Sequence, residues 1–557
     1  MIDLDLLIVN ANVLTLDGEN KNAGSVGVTN GRITGIWLEQ RPPSSEVNIT
    51  ERTQCIDLQG ATLLPGFIDT HNHMISAIML RQYLDCKSPP NRDISDIQFR
   101  IKQKALSVEK GNWIVGFGYD DTALSEMRHP TKKELDEAAP DHPVIIYHIS
   151  GHLGVANSLA LELAGVDEQA LDPEGGSFGR DEEGHLNGVL YEGTAQAVGA
   201  YAPEPSEQEL LSLISEESLS YLSQGITTNT DAKIGVTNEI DDLELCFKAI
   251  EQERLPMHMK LMIASDRLRE GSQMGSMTAN EVDAYIRKRS GGRASLDSAK
   301  MFQDGSIQGL TGALREPYFN DPDVSGNLIH AQEELDAEVK DLHDRGFRIA
   351  IHGNGDRAIG SILDAFEQAI LENPRPDHRH RIEHAQTATT EDLIRMHDLG
   401  VAASFFINHV YYWGDRHEKI FLGPERGRRV NPLAEAAKHN VLFTLHSDDP
   451  VTPISPLFSV WVAVNRLTSD GKILGPEQRI DVVTALRAMT SYGAQLIFEE
   501  DEVGTIELGK RADFAIVAED PTSVDPLHIK DISILGTLID GRIVYNNGLT
   551  LFKNNLV

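Results

Sequence analysis

The chain is short of cysteine, of positive charge and of long apolar runs, and each shortage closes off a class of protein. Cys55, Cys86 and Cys246 are the only thiols in 557 residues, and no two form a CxxC pair. That is not a disulfide framework, and it points to a reducing compartment, expected to be the cytoplasm. Lysine and arginine number 50 against 85 aspartates and glutamates, a formal net charge of −35. Such a surface repels nucleic acid and anionic membranes, so neither is expected as a partner. A solubility adaptation is the plainer meaning of the excess. No apolar run approaches the roughly 20 residues that cross a bilayer. "MIDLDLLIVNANV" carries aspartates where a signal peptide has basic residues, so it reads as a first strand.

What is present is an ordinary globular composition, 40% hydrophobic and 24% charged, in a chain too long for one small core. Three regions follow from the patterning. Residues 1–64 are short strands and turns: "DLLIVNANVLTL" alternates, and Asn30-Gly31 is a hairpin dipeptide between β-branched residues. Residues 500–557 match in style, with Asp540-Gly541 as another hairpin signal. Neither end alone holds a stable sheet, so the two are expected to pair into one discontinuous β-sandwich. Between them, over 65–499, eight apolar strand candidates alternate with helical stretches. They are "GFIDTHNH", 225–232, 256–264, 298–305, 347–356, 380–386, 400–406 and 441–449. This alternation predicts an α/β fold, a parallel (β/α)8 TIM-like barrel. Residues 75–220 are far longer than a βα connection. They hold their own strands ("NWIVGFGYD", "HPVIIYHIS") and a helix ("NSLALELAG"). They are expected to form an inserted α+β subdomain after the first barrel strand, near the active-site mouth.

Chemistry gathers where the strands end. In "LLPGFIDTHNHM" an extended chain projects His71 and His73 to one side and Asn72 to the other. His352 closes "FRIAIH", His384 closes "RIEH", and Asp448 follows "VLFTLHS". Lys300 lies in "SAKMFQDG". A buried unpaired ionisable group costs several kcal/mol, and a shared divalent cation would compensate several at once. Each residue also has a plainer role. The histidines can be hydrogen-bonded strand ends, Asp448 a helix cap within "SDDPVTP", and Lys300 a partner for Asp304. Taken together in barrel order, the ligand role explains more.

"LLPGFIDTHNHM", "IHGNGDRAI", "RIEHAQ", "HSDDPV" and the tail "TIELGKRADFAIV" resemble the metal-dependent amidohydrolase superfamily. "HISGHLGVANSLAL" and "GHLNGVLYE" resemble the inserted segment of its amidohydrolase-3 branch, which includes N-substituted formamide deformylases. The resemblance spans essentially the whole chain. It implies that His71 and His73 bind the more buried metal, that His352 and His384 complete one or two sites, and that Asp448 binds metal and serves as general base. It implies that Lys300, carboxylated by CO2, bridges two metals. Glu192 of "VLYEG" is the alternative source of that carboxylate. Where the family has a small residue after the eighth-strand aspartate, this chain has Asp449, which either tunes the site or caps a helix.

Histidine and carboxylate ligands suit Zn2+, one or two ions, with Fe, Mn or Ni also open. The expected activity is hydrolysis of a non-peptide C–N bond in a small amide, N-substituted formamide or cyclic amide. His152 and Tyr119 are candidate oxyanion donors. "FFINHVYYWGD" offers either an aromatic pocket wall or packing for the outer helices. A metal-dependent lyase, isomerase or decarboxylase is the alternative, since one scaffold serves many reactions. A non-catalytic binding protein is the third possibility. A homodimer is the default assembly.

Overall fold

The computed structural model describes residues 1–18, 22–88, 90–150, 153–173, 176–235 and 241–553. The chain divides into two compact units, 77–213 on one hand and 1–76 with 214–557 on the other.

The larger unit contains eight parallel strands in sequence order, one for each expected position. They are β1 (Phe67–Asn72), β2 (Ile226–Ile234), β3 (His258–Ala264), β4 (Ala294–Phe302), β5 (Ile349–Gly353), β6 (Arg381–His384), β7 (Ala402–Phe405) and β8 (Phe443–Leu445). All six residues of β1 and all four of β6 are buried. That is the signature of parallel strands covered on both faces. The barrel is nearly closed: β8 and β1 share no ladder, but Thr70 Oγ1 lies 2.7 Å from Thr444 Oγ1 inside the cylinder. Beyond the strands, the amide of His73 donates to the carbonyl of Asp449 at 2.8 Å. The ends of β1 and β8 are thereby tied together.

Helices return the chain between strands, and local chemistry sets their limits. In helix 356–372, Ile359, Ile362, Leu363 and Phe366 recur at helical spacing and are buried against the barrel. Helix 390–399 begins with a reciprocal capping box between Thr389 and Asp392 and ends at Gly400, whose φ of +70° is left-handed. No described helix is long and apolar enough to cross a membrane.

Strands from both chain ends build two further sheets. One has five strands, with Leu551–Lys553 beside Gln54–Asp57; the other has six, with Phe514–Val517 beside Thr62–Pro65. Ile8, Val26 and Ile56 of the first share one buried cluster with Val13, Leu63, Phe514 and Leu538 of the second. The 77–213 unit has a six-stranded mixed sheet that includes 114–119, 144–148, 153–156 and 186–192.

A histidine cluster beside the barrel makes the fold acid-sensitive. His343 Nδ1 lies 2.8 Å from His380 Nε2, and His380 Nδ1 accepts the amide of Ile349 at 3.1 Å. Burial holds His380 well below the usual histidine pKa, with the neighbouring His378 and His343 adding to the effect. Below about pH 6.5 the unfolded chain takes up a proton that folded His380 refuses. Each further unit of acidification therefore costs about 1.4 kcal/mol, until the folded pKa is reached. Melting temperature is expected to fall between pH 7.5 and 5.5, and less steeply in a His380→Gln variant. Equal slopes in the two proteins would remove His380 from this account.

Candidate metal centre

His71 sits inside the barrel on β1, about 1% exposed. Its Nδ1 lies 2.6 Å from Glu383 Oε2. Glu383 and Arg381 are alternate residues of β6, so they share a face. Arg381 Nε donates to Glu383 Oε1 at 2.5 Å, and its Nη2 donates to Asp297 Oδ2 at 2.7 Å. Arg348 Nη2 donates to the other oxygen of Asp297 at 3.1 Å. A chain of alternating charges thus crosses the barrel interior from Arg348 to His71. Burial alone would raise the Glu383 pKa, but Arg381 and His71 beside it hold it well below the usual carboxylate range. A histidine whose Nδ1 faces a carboxylate keeps its Nε2 free to ligate, an arrangement typical of metal-bound histidines.

The other side of His71 opens on a group of polar atoms without partners. Its Nε2 lies 3.3 Å from Asp448 Oδ1, and His73 Nε2 lies 3.4 Å from the same oxygen. The ring centroid of His384 is 4.9 Å from that of His71 and 4.5 Å from that of His352. His446 stacks on His71 at 4.6 Å. His384 Nδ1, both nitrogens of His446 and Lys300 Nζ are buried without a hydrogen-bond partner, and Asp448 Oδ1 has only the two long imidazole contacts. Orphaned polar atoms are rare in folded proteins, and here four converge. Ligand atoms of His71, His384 and Asp448 lie within 4.8 Å of one another, as do those of His71, Glu383 and His446. A cation would satisfy this donor set.

The electrostatics point the same way. Burial and Lys300 press His71 toward neutrality, yet the Glu383 and Asp448 carboxylates outweigh them and raise its pKa. Asp448 is held well below the carboxylate range: burial opposes this, and its His71 and His73 neighbours prevail. Burial brings Lys300 down to about 8, against the pull of Glu383 and Asp448. His384 and Asp448 both take left-handed backbone, with φ of +69° and +54°. Histidine and aspartate tolerate that region better than most residues, and the bend turns both side chains off their strand ends.

Other sequence-based candidates have different surroundings. His352 lies beside His384, with its Nε2 3.2 Å from the Gly305 carbonyl and 2.9 Å from Asn354 Nδ2. Lys300 does not pair with Asp304, whose carboxylate instead accepts the amides of Ala313, Asn354 and Gly355. Asp448 caps no helix, since Ser455 caps helix 456–465. Asp449 likewise caps nothing there and accepts from the Tyr221 hydroxyl at 2.8 Å. Tyr119 and Glu192 belong to the 77–213 unit, where Tyr119 Oη lies 3.2 Å from His129 Nδ1. His152 lies outside the described residues. The aromatic run divides its work: Phe406 packs near His446 and His384, whereas Tyr411 and Tyr412 pack on Phe458.

Sequence patterning missed Glu383, Arg381, Asp297 and His446. It also missed Asp231 on β2, whose carboxylate receives the Ile75 amide at 2.5 Å and the Ser76 hydroxyl at 2.8 Å. Ser76 Oγ is in turn 3.2 Å from His73 Nδ1, so Asp231 steadies the His73 ring through it.

Comparison with known proteins gives the chain its class. Residues 54–545 match the amidohydrolase family. The chain is 29% identical to the N-substituted formamide deformylase of Arthrobacter pascens, over 97% of this chain and 98% of that relative. It is 26% identical to the putative amidohydrolase YtcJ of Bacillus subtilis, over 96% and 98% of the two chains. The fold matches the crystal structure of an uncharacterized metal-dependent hydrolase from Pyrococcus horikoshii. The TM-score is 0.73 at 24% identity, covering 94% of this chain and 99% of that one. The chain belongs to the amidohydrolase family and is a hydrolase acting on carbon–nitrogen bonds.

Proposed function

We propose that the protein is a metal-dependent hydrolase of a non-peptide C–N bond in a small amide, N-substituted formamide or cyclic amide. The observation that carries this is the convergence of buried His384 and His446 nitrogens that lack hydrogen-bond partners with the Asp448 carboxylate beside His71 and His73. His71, His73, His384 and Asp448 would hold the cation, with His352, His446 and Lys300 beside them. Zn2+ suits these imidazoles and carboxylate. When bound, the cation supplies Lewis acidity, which polarises a carbonyl and brings the pKa of water from 15.7 toward about 7.

The chain's own groups handle the proton. Asp448 is ionised at neutral pH, accepts the proton of the attacking water and passes it to the departing nitrogen. Lys300, with its pKa near 8, keeps an appreciable neutral fraction at neutral pH, and only a neutral amine adds to CO2. Its carbamate would replace an ammonium that cannot ligate. Glu383 holds the His71 ring in place, and Phe406 gives the pocket an apolar wall. Relatives support amide-type substrates, since one is an N-substituted formamide deformylase.

In the same proposal the two terminal sheets form a discontinuous β-sandwich, and the 77–213 unit is the inserted α+β subdomain. Chelation of the purified protein tests the chemistry. Hydrolysis of N-acyl amines is expected to fall at least about a hundredfold and to return on adding Zn2+. Full activity in protein shown to be metal-free would contradict the mechanism.

A further inference from the structure

A cleft at the far end of the barrel takes no part in the proposed mechanism. Its volume is about 500 Å3, and all of its lining residues belong to the larger unit. Three arginines face it, each from a different layer of the fold. Arg293 immediately precedes β4 at the N-terminal end of the barrel. Arg52 precedes the strand Gln54–Asp57 of the five-stranded sheet, and Arg542 opens the strand Arg542–Asn546 of the six-stranded one. Lys300 stands seven residues beyond Arg293, along β4. At the rise of an extended chain, Arg293 is roughly 23 Å from the metal centre. The cleft is therefore a separate place.

Its wall is built rather than incidental. The two hairpin dipeptides that stand out in the sequence, Asn30-Gly31 and Asp540-Gly541, both line it. All four residues are left-handed, with φ between +50° and +74°, and the turns pack on each other. A Cβ on Gly31 would come within 3.1 Å of the Asp540 carbonyl oxygen. Ala512 locks the pair: its amide donates to the Gly31 carbonyl and its carbonyl accepts the Gly541 amide, each at 2.8 Å. On the barrel side, Arg293 Nη1 donates to the Pro256 carbonyl. A wall held in this way loses little freedom when a ligand binds.

Two acids also line the cleft, and both have work of their own. Asp5 Oδ2 accepts the Asn30 amide at 2.6 Å. Asp540 Oδ1 faces His258 Nε2 at 3.6 Å, and His258 holds its carboxyl below the usual range against the effect of burial. Arg52 and Arg542 are exposed. Their planar guanidinium forks match phosphate and carboxylate oxygens two at a time. On a chain of net charge −35, three such groups around one recess make a local seat for an anion.

We propose that this cleft binds a small polyanion with two or more phosphate or carboxylate groups. The ligand bridges Arg52, Arg293 and Arg542 and so ties both terminal sheets to the floor of the barrel. The site is independent of the reaction proposed above.

Calorimetry on the Zn2+-loaded protein, at about 0.15 M salt so that diffuse attraction is screened, tests this with inorganic pyrophosphate and with tricarballylate. Wild type is expected to bind at least one of them, one per chain, with Kd below about 1 mM. The preferred probe tells whether the ligand is a phosphate or a carboxylate. The double variant Arg52→Gln/Arg542→Gln changes only exposed side chains, and its melting curve without ligand should match wild type. It should bind at least about tenfold more weakly, since each lost charge-assisted hydrogen bond is worth that much. Its metal content should be unchanged. Binding of neither probe by wild type overturns the proposal. So does a loss of less than about tenfold in the double variant, which would put the anion elsewhere, at the metal centre included.

Discussion

Replacing Asp448 by asparagine is expected to lower kcat by about a thousandfold. The carboxylate stands 3.3 Å and 3.4 Å from the His71 and His73 Nε2 atoms, so in the proposed mechanism the substitution removes both a ligand charge and the proton acceptor. An asparagine keeps the shape and can still offer its oxygen, but it cannot take a proton at neutral pH. The loss should therefore fall on kcat even in protein that retains its metal. Single-turnover rates and metal content, measured on the same preparation, check this. A variant with full metal and wild-type kcat would take the general-base role away from Asp448.

Glu383→Gln is expected to weaken both the fold and the metal site. Glu383 is fully buried between Arg381 and His71. Removing its charge leaves Arg381 with Asp297 alone and leaves His71 without its carboxylate. Breaking a buried ion pair typically costs about 3–5 kcal/mol. Loss of a carboxylate behind a metal-bound histidine weakens metal binding by about 10–100-fold. Denaturant unfolding and competition with a chromophoric chelator read the two effects separately. Wild-type stability with wild-type metal affinity would mean that the charge chain through the barrel supports neither.

The barrel was legible because each strand is a short apolar run broken by Gly or polar residues, and a parallel strand covered on both faces cannot look otherwise. His71, His73, His384 and Asp448 stood out for the same reason, as polar groups where such runs stop. Glu383 and Arg381 were hidden because "RIEH" offers them as two charges within one strand. Their partners lie far away in sequence: His71 is 312 residues from Glu383, and Asp297 is 84 from Arg381. Only closing the cylinder brings them together. His446 carried a usable signal, since it precedes Asp448 by two residues, the same spacing that singled out His71 and His73. Asp449 read either as a tuner of the site or as a helix cap, since an acidic residue just before a helix is a common cap. Tertiary packing gave it the Tyr221 hydroxyl instead.

Crystals of the purified protein, with diffraction recorded on both sides of the zinc absorption edge, test the central claim most directly. An anomalous peak is expected about 2.0–2.2 Å from nitrogen and oxygen donors of His71, His73, His384 and Asp448. Those four side chains around ordered water alone, with no peak among them in active protein, would contradict it.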